Sequence, residues 1–208
     1  MKTEIISSNS PDAKAQVLSV LRSGGLVAFP TDTVYGLGCL AFDGKAVESI
    51  YAAKDRPVEK AIPILVGEIM DTEKIVTEFP PVPRILALRF WPGPLTCILP
   101  KKPTLPEAVS ATSTIGVRIP DDVTARVLLR HAGPMAVTSA NISGQPSPST
   151  AEEVFEQLNG RIPLIIDGGR TPGGVPSTVI DCLSDEIKIL REGPISADDI
   201  QNYIQNPR

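Results

Sequence analysis

The sequence predicts an α/β fold built on a mixed sheet. Short apolar runs that read as buried strands alternate with stretches of helical periodicity along the chain. Several connections between them are too short for a crossover helix, so part of the sheet must pair antiparallel. The 208 residues, 42% of them hydrophobic, suit one domain with a real core, and residues 1–208 are read as that single domain.

Ser10-Pro11-Asp12 reads as a helix start, with a Ser cap and Pro at the first position; Val17, Leu18 and Leu21 form the buried stripe before Gly24-Gly25. Residues 26–29 form a strand that Pro30 stops. Thr31, Asp32, Thr33 and Tyr35 then make a polar lip, closed by Gly36 and Gly38 where a backbone can turn sharply or admit a ligand. Asp43 caps a second helix through Lys54, with Val47, Ile50 and Tyr51 inward, and residues 61–66 form a strand. Residues 81–91 read as a helix with Ile85, Leu86 and Leu88 inward, and residues 95–99 as a strand. In the strand at 114–120, alternation puts Thr114, Gly116 and Arg118 on one face. Asp121-Asp122 start a helix that ends near His131.

Residues 135–137 are a strand that leads into a second polar burst at 138–144. Thr150 and Glu153 form a capping box for a helix through Leu158. The strand at 162–166 runs into a loop at 167–178, rich in hydroxyls and in glycines that include Gly173 and Gly174. Such a loop suits phosphate or carboxylate held by backbone N–H groups. Residues 179–181 and 187–190 make a hairpin-like pair, and Ser196 caps a short last helix.

Composition narrows the function. A net charge of −4 argues against a protein coated with basic residues for nucleic acid, though not against a local basic cleft. His131 is the one histidine and reads as a helix-end surface residue, which leaves little for a Ser-His-Asp or Cys-His mechanism. Cys39, Cys97 and Cys182 are far apart and predict neither a disulfide framework nor a zinc site. No metal-ligand cluster stands out. No apolar run approaches the roughly 20 residues needed to span a bilayer, and no signal peptide is visible, so a cytoplasmic protein with no membrane partner is expected. Neither a P-loop nor a GxGxxG motif occurs.

Polar bursts recur at strand ends, and isolated cations recur beside them: Lys54, Arg56, Lys60, Arg118 and Arg191. Taken singly, the lip could be a plain strand-to-turn connection and 54–60 a solvated loop of mixed charge. An Arg inside an apolar strand either meets solvent or holds an anion, because a buried guanidinium must be paired. Brought together, these groups would suit a polyphosphate and a small carboxylate, with catalysis by positioning and electrostatics.

PTDTVYGLG, KDRP, SAN followed by SGQPSPS, PSTVID and ILREG, in this order from about residue 10 to residue 193, resemble the YrdC/TsaC family of threonylcarbamoyl-AMP synthases. The resemblance implies a twisted open sheet, flanked by helices, around a large concave, positively charged cleft. It implies synthesis of threonylcarbamoyl-AMP from L-threonine, bicarbonate or carbon dioxide, and ATP, with release of pyrophosphate. That is the first step toward threonylcarbamoyladenosine at position 37 of tRNA, with a threonylcarbamoyl transferase machinery as the downstream partner.

By the same resemblance Lys54, Arg56, Ser139 and Asn141 form the reactive centre. Thr33, Arg118 and Ser177 contact threonine, with Leu65 and Val137 lining its pocket. Arg56, Lys60, Thr114, Ser139, Ser147 and Arg191 hold ATP. No tightly bound cofactor is implied, and magnesium would arrive with ATP. The chain resembles the short, single-domain form of the family. Two other readings stand beside this one: a cleft that binds RNA, tRNA contact included, or a paralogue that adenylates a different carbamate.

Overall fold

The computed structural model describes every residue except Met1, Gly173, Cys182, Asp185 and residues 206–208, so the expectations placed on Gly173 and Cys182 lie outside the described residues. In chain order the elements are β1 (Glu4–Ser7), α1 (Ala13–Arg22), β2 (Val27–Phe29), β3 (Gly36–Leu40), α2 (Gly44–Lys54), β4 (Ile64–Leu65), a 3₁₀ turn (Ile69–Lys74), α3 (Pro81–Phe90), β5 (Leu95–Pro100) and β6 (Thr114–Arg118). They continue as α4 (Val123–Ala132), β7 (Met135–Ser139), α5 (Ala151–Leu158), β8 (Leu164–Asp167), β9 (Thr178–Asp181), β10 (Lys188–Arg191) and α6 (Ala197–Gln205).

The strands form one mixed sheet in the order β1-β8-β2-β3-β7-β4-β6-β5-β9-β10. β1–β8, β2–β8, β4–β6 and β5–β9 pair parallel, and the other pairs are antiparallel. Strand alternation divides the apolar side chains between two cores. Ala28, Leu37, Ile64, Ala136 and Ile165 join the larger one, with residues of α2, α3, α5 and α6. Val27, Phe29, Leu65, Met135 and Val137 join the smaller one, with Val17 and Leu21 of α1 and Leu128 and Leu129 of α4. Helices therefore cover both faces, as the α/β expectation requires.

Four local expectations are corrected. The first helix begins at Ala13 after Asp12, whose side chain makes no cap, and Ser10 contributes only its carbonyl to the Ala13 N–H. On α3 it is Pro83, Leu86 and Ala87 that are buried, while Ile85 and Leu88 are exposed. The helix packs its Pro83-Leu86-Ala87 stripe inward, which leaves Ile85 and Leu88 on the opposite side. The capping box is half formed: Thr150 accepts from the Glu153 N–H, but the Glu153 carboxylate reaches the Ser149 N–H instead of that of Thr150.

The fourth concerns Gly36 and Gly38, which form no turn, although Gly36 does line a cavity. They lie in β3, an interior strand between β2 and β7. A Cβ on Gly36 would stand 2.8 Å from Cγ1 of Val137. Glycine is needed there because the side chain on the next strand fills the space above the backbone. Gly36→Ala is expected to destabilise the fold by about 1–3 kcal/mol through overpacking, read as a lower urea midpoint with an unchanged m-value.

Candidate functional site

A cavity of about 320 Å³ opens on the face of the sheet that carries α1 and α4, where the sheet runs on past those helices. That size suits a small molecule. Its floor is a row of alternating strand residues: Leu65 of β4, Val137 of β7, Gly116 and Arg118 of β6, Thr96 and Ile98 of β5, and Val179 of β9. Thr33 closes one side from the lip after β2, and Arg56, Ser139, Ser177 and Arg191 close the others. Eight residues singled out in the sequence thus meet here: Thr33, Arg56, Leu65, Arg118, Val137, Ser139, Ser177 and Arg191.

Three arginines share the cavity, and each is held differently. Arg118 is 6% exposed; its Nε donates to Gly93 O at 2.9 Å, its Nη1 to Thr33 Oγ1 at 3.1 Å and its Nη2 to Asp32. One N–H on each terminal nitrogen remains unused. Arg56 donates from Nε and Nη2 to the carbonyls of Lys60 and Ala61 at 3.2 and 3.0 Å. Arg191 donates from Nε to Ser177 O at 2.9 Å and from Nη2 to Ser177 Oγ at 3.0 Å. Among the described residues Asp32 on Arg118 is the one carboxylate in an ion pair with any of the three. Burial disfavours the charge on Arg191, and the neighbouring Arg118 and Arg56 disfavour it further. Like charges that share a cavity without matching carboxylates would be relieved by an anion.

The other sequence candidates lie outside the cavity lining. Lys54, at the C-terminus of α2, is 1% exposed, and its Nζ donates to the carbonyls of Ser139 and Asn141. The Lys54 carbonyl in turn accepts from the Ser143 N–H at 2.8 Å. Lys54 therefore clamps the loop that presents Ser139. Asn141 is buried, donating from Nδ2 to Ile142 O and Gln145 O, while its Oδ1 is buried without a partner among the described residues. Lys60 is exposed, and Thr114 and Ser147 are half-buried.

Five backbone N–H groups among the described residues of the loop from Gly168 to Thr178 are already engaged. Thr171 N–H goes to Ser149 O, Gly174 N–H to Thr33 O and Thr178 N–H to Pro94 O; the Gly168 and Gly169 amides are also engaged. These bonds tie the loop to the lip and to the SPS segment. Tyr35, whose hydroxyl burial pushes up to about 12, donates to Gly169 O and completes that tie. Sequence reasoning missed Asp32 as the partner of Arg118, and Thr96 as part of the cavity wall. A hydroxyl residue inside the apolar run 95–99 was the available signal for Thr96.

The Sua5_yciO_yrdC family model, described as telomere recombination, matches residues 19–193. The chain belongs to the Sua5/YciO/YrdC family. It is 43% identical to a Bacillus subtilis threonylcarbamoyl-AMP synthase over 97% of its length, spanning 59% of that protein. A structure of P. abyssi Sua5 complexed with L-threonine superposes with a TM-score of 0.93 at 40% identity, over 97% of this chain and 61% of that one. E. coli YciO superposes with a TM-score of 0.84 at 27% identity, over 95% of this chain and 99% of that one. These Sua5/YciO/YrdC structures share the open mixed sheet flanked by helices.

Burial, reinforced by nearby Arg56, lowers the Lys54 ammonium from 10.5 to about 7. Both clamp bonds survive deprotonation, since a neutral amine keeps two N–H groups. Between the two values the unfolded chain binds the proton and the folded one does not, so this group's contribution to stability rises with pH there. Urea unfolding of the wild type and Lys54→Met at about pH 7 and about pH 10 should show the difference shifting toward the wild type at the higher pH. A constant difference would contradict the lowered value.

Proposed function

We propose that this protein makes threonylcarbamoyl-AMP from L-threonine, bicarbonate or carbon dioxide, and ATP, releasing pyrophosphate, in the cytoplasm. Its product would go to a transferase machinery that modifies adenosine 37 of tRNA. The observation that carries this reading is the meeting of Arg56, Arg118 and Arg191 with Thr33, Ser139 and Ser177 around one small cavity. The named activity of the Bacillus subtilis relative, and the threonine in the P. abyssi Sua5 structure, support it.

In this reading the neutral amine of threonine adds to the carbon of carbon dioxide, and the nitrogen loses a proton to water to give a carbamate anion. A carbamate oxygen then attacks the α-phosphorus of ATP. The bond to the oxygen bridging the α- and β-phosphorus breaks, and pyrophosphate leaves with the electron pair. Negative charge builds on phosphate oxygens, and fixed cations stabilise it without reorganising.

The two spare N–H groups of Arg118, beside the Thr33 hydroxyl, suit the threonine carboxylate in bidentate fashion. Leu65 and Val137 give that end an apolar wall for the methyl group. Arg56 and Arg191 keep more unused donors and face the phosphates, with Ser139 held toward the α-phosphate by the Lys54 clamp. Asn141 supports the same loop. Lys60, Thr114 and Ser147 would meet the nucleotide where it extends past the cavity. Magnesium enters with ATP as part of the substrate.

Pyrophosphate release from ATP and bicarbonate should depend on L-threonine and be weaker with serine. Arg56→Ala should lower that rate by about a hundredfold or more, with the unfolding midpoint nearly unchanged, since Arg56 is only half-buried. Release that ignores threonine, or full activity in Arg56→Ala, would overturn the reading.

A further inference from the structure

We propose that Thr96 is a positioning residue that frees the Ser177 proton for an oxyanion in the cavity. This rests on the synthase reading for the identity of the oxyanion, not for the hydroxyl geometry. Thr96 and Ser177 are both buried in the cavity wall, 3% and 4% exposed, with their hydroxyl oxygens 2.8 Å apart. Between them either oxygen can donate. A serine hydroxyl has one proton and two lone pairs. Arg191 Nη2 already donates into one of the Ser177 lone pairs, at 3.0 Å.

Two arrangements follow. When Ser177 donates to Thr96, its only proton is consumed inside the wall. When Thr96 donates to Ser177, both Ser177 lone pairs are filled, from Arg191 and Thr96, and its proton is left to point at a ligand. An anionic acceptor favours the second arrangement, because a hydrogen bond to a charged oxygen is roughly twice as strong as one between neutral groups. Thr96 is thus the donor that replaces what Ser177 gives up, and Ser177 keeps its bonds in both states.

The Thr96 side chain is also fixed in orientation. Its Cγ2 lies 2.9 Å from the place where a Cβ on Gly116 would stand. The methyl group therefore packs on the bare backbone of β6, while the hydroxyl faces Ser177. Ser177 joins Arg191 to Thr96 and so sits where the β9–β10 side of the cavity meets β5 and β6. The oxyanion is either the threonine carboxylate or a phosphate.

Titration calorimetry with L-threonine, and separately with inorganic pyrophosphate, distinguishes the two. Thr96→Val keeps the shape and removes the hydroxyl. It should weaken one of the two ligands about tenfold, and Thr96→Ser should restore most of that binding. In a Ser177→Ala background the same Thr96→Val change should add little, because the coupling runs through Ser177. Thr96→Ala serves as the hydroxyl-free variant if the valine protein does not fold.

Weakening of neither ligand overturns the proposal, as does equal weakening with Ser177 absent, failure of Thr96→Ser to restore binding, or a wild type that binds neither ligand. Pyrophosphate release with and without threonine is measured beside these titrations. Its absence together with an intact Thr96–Ser177 coupling would count against the synthase reading alone.

Discussion

Arg118 is a cation on an interior strand, with almost no access to water. A charge taken out of water costs several kcal/mol unless it is paired and hydrogen-bonded. Three contacts from two segments meet that cost together: Gly93 before β5, and Asp32 and Thr33 on the lip. Each contact joins pieces distant in sequence, so the position of the guanidinium fixes the lip against the sheet. The lip in turn receives the Gly174 N–H on the Thr33 carbonyl, which fixes the loop that leads to Ser177. Removing the paired carboxylate would strand a buried charge, and the cavity wall would lose its shape along with its electrostatics.

The same problem is solved differently at Lys54. Its Nζ is held by two backbone carbonyls, of Ser139 and Asn141, and among the described residues no acidic side chain pairs with it. The clamp carries the helical register of α2 into the position of Ser139. A residue that reads from sequence as a phosphate contact here holds the loop that presents Ser139. Asp55 follows it in a left-handed conformation at φ 51°, which ends the helix and turns the chain so that Arg56, two residues on, faces the cavity while Lys54 does not.

What could be read from the sequence follows from this division. That Arg118, Thr33, Arg56 and Ser177 meet was legible because isolated cations and hydroxyl residues recur in and beside the polar segments that flank the apolar strands. Alternation alone put Gly116 and Arg118 on one face, and both line the cavity. The roles of Gly36 and Lys54 were not legible, since each depends on the strand or loop that packs beside it, and strand order is long-range information. The facing of α3 failed for a related reason. Its sequence carries apolar residues nearly all round, so periodicity does not say which stripe the sheet will take. In the glycine-rich loop, composition shows that N–H groups are present but not which of them, such as those of Thr171 and Gly174, are already bonded.

The way each arginine is held also divides the cavity by charge. Arg118 with Asp32 is close to neutral as a pair, and its two unused N–H groups can take a carboxylate from a zwitterionic amino acid with little change in local charge. Arg56 and Arg191 are anchored by carbonyls and a hydroxyl, which fix geometry without cancelling charge. An arriving polyanion therefore breaks no ion pair to reach them. It also relieves the mutual repulsion that Arg191 feels from the other two guanidiniums. The same three residues can in this way favour a small zwitterion at one end and a polyphosphate at the other. In the synthase reading the junction between the two would fall where Thr96, Ser177 and Arg191 are hydrogen-bonded in series.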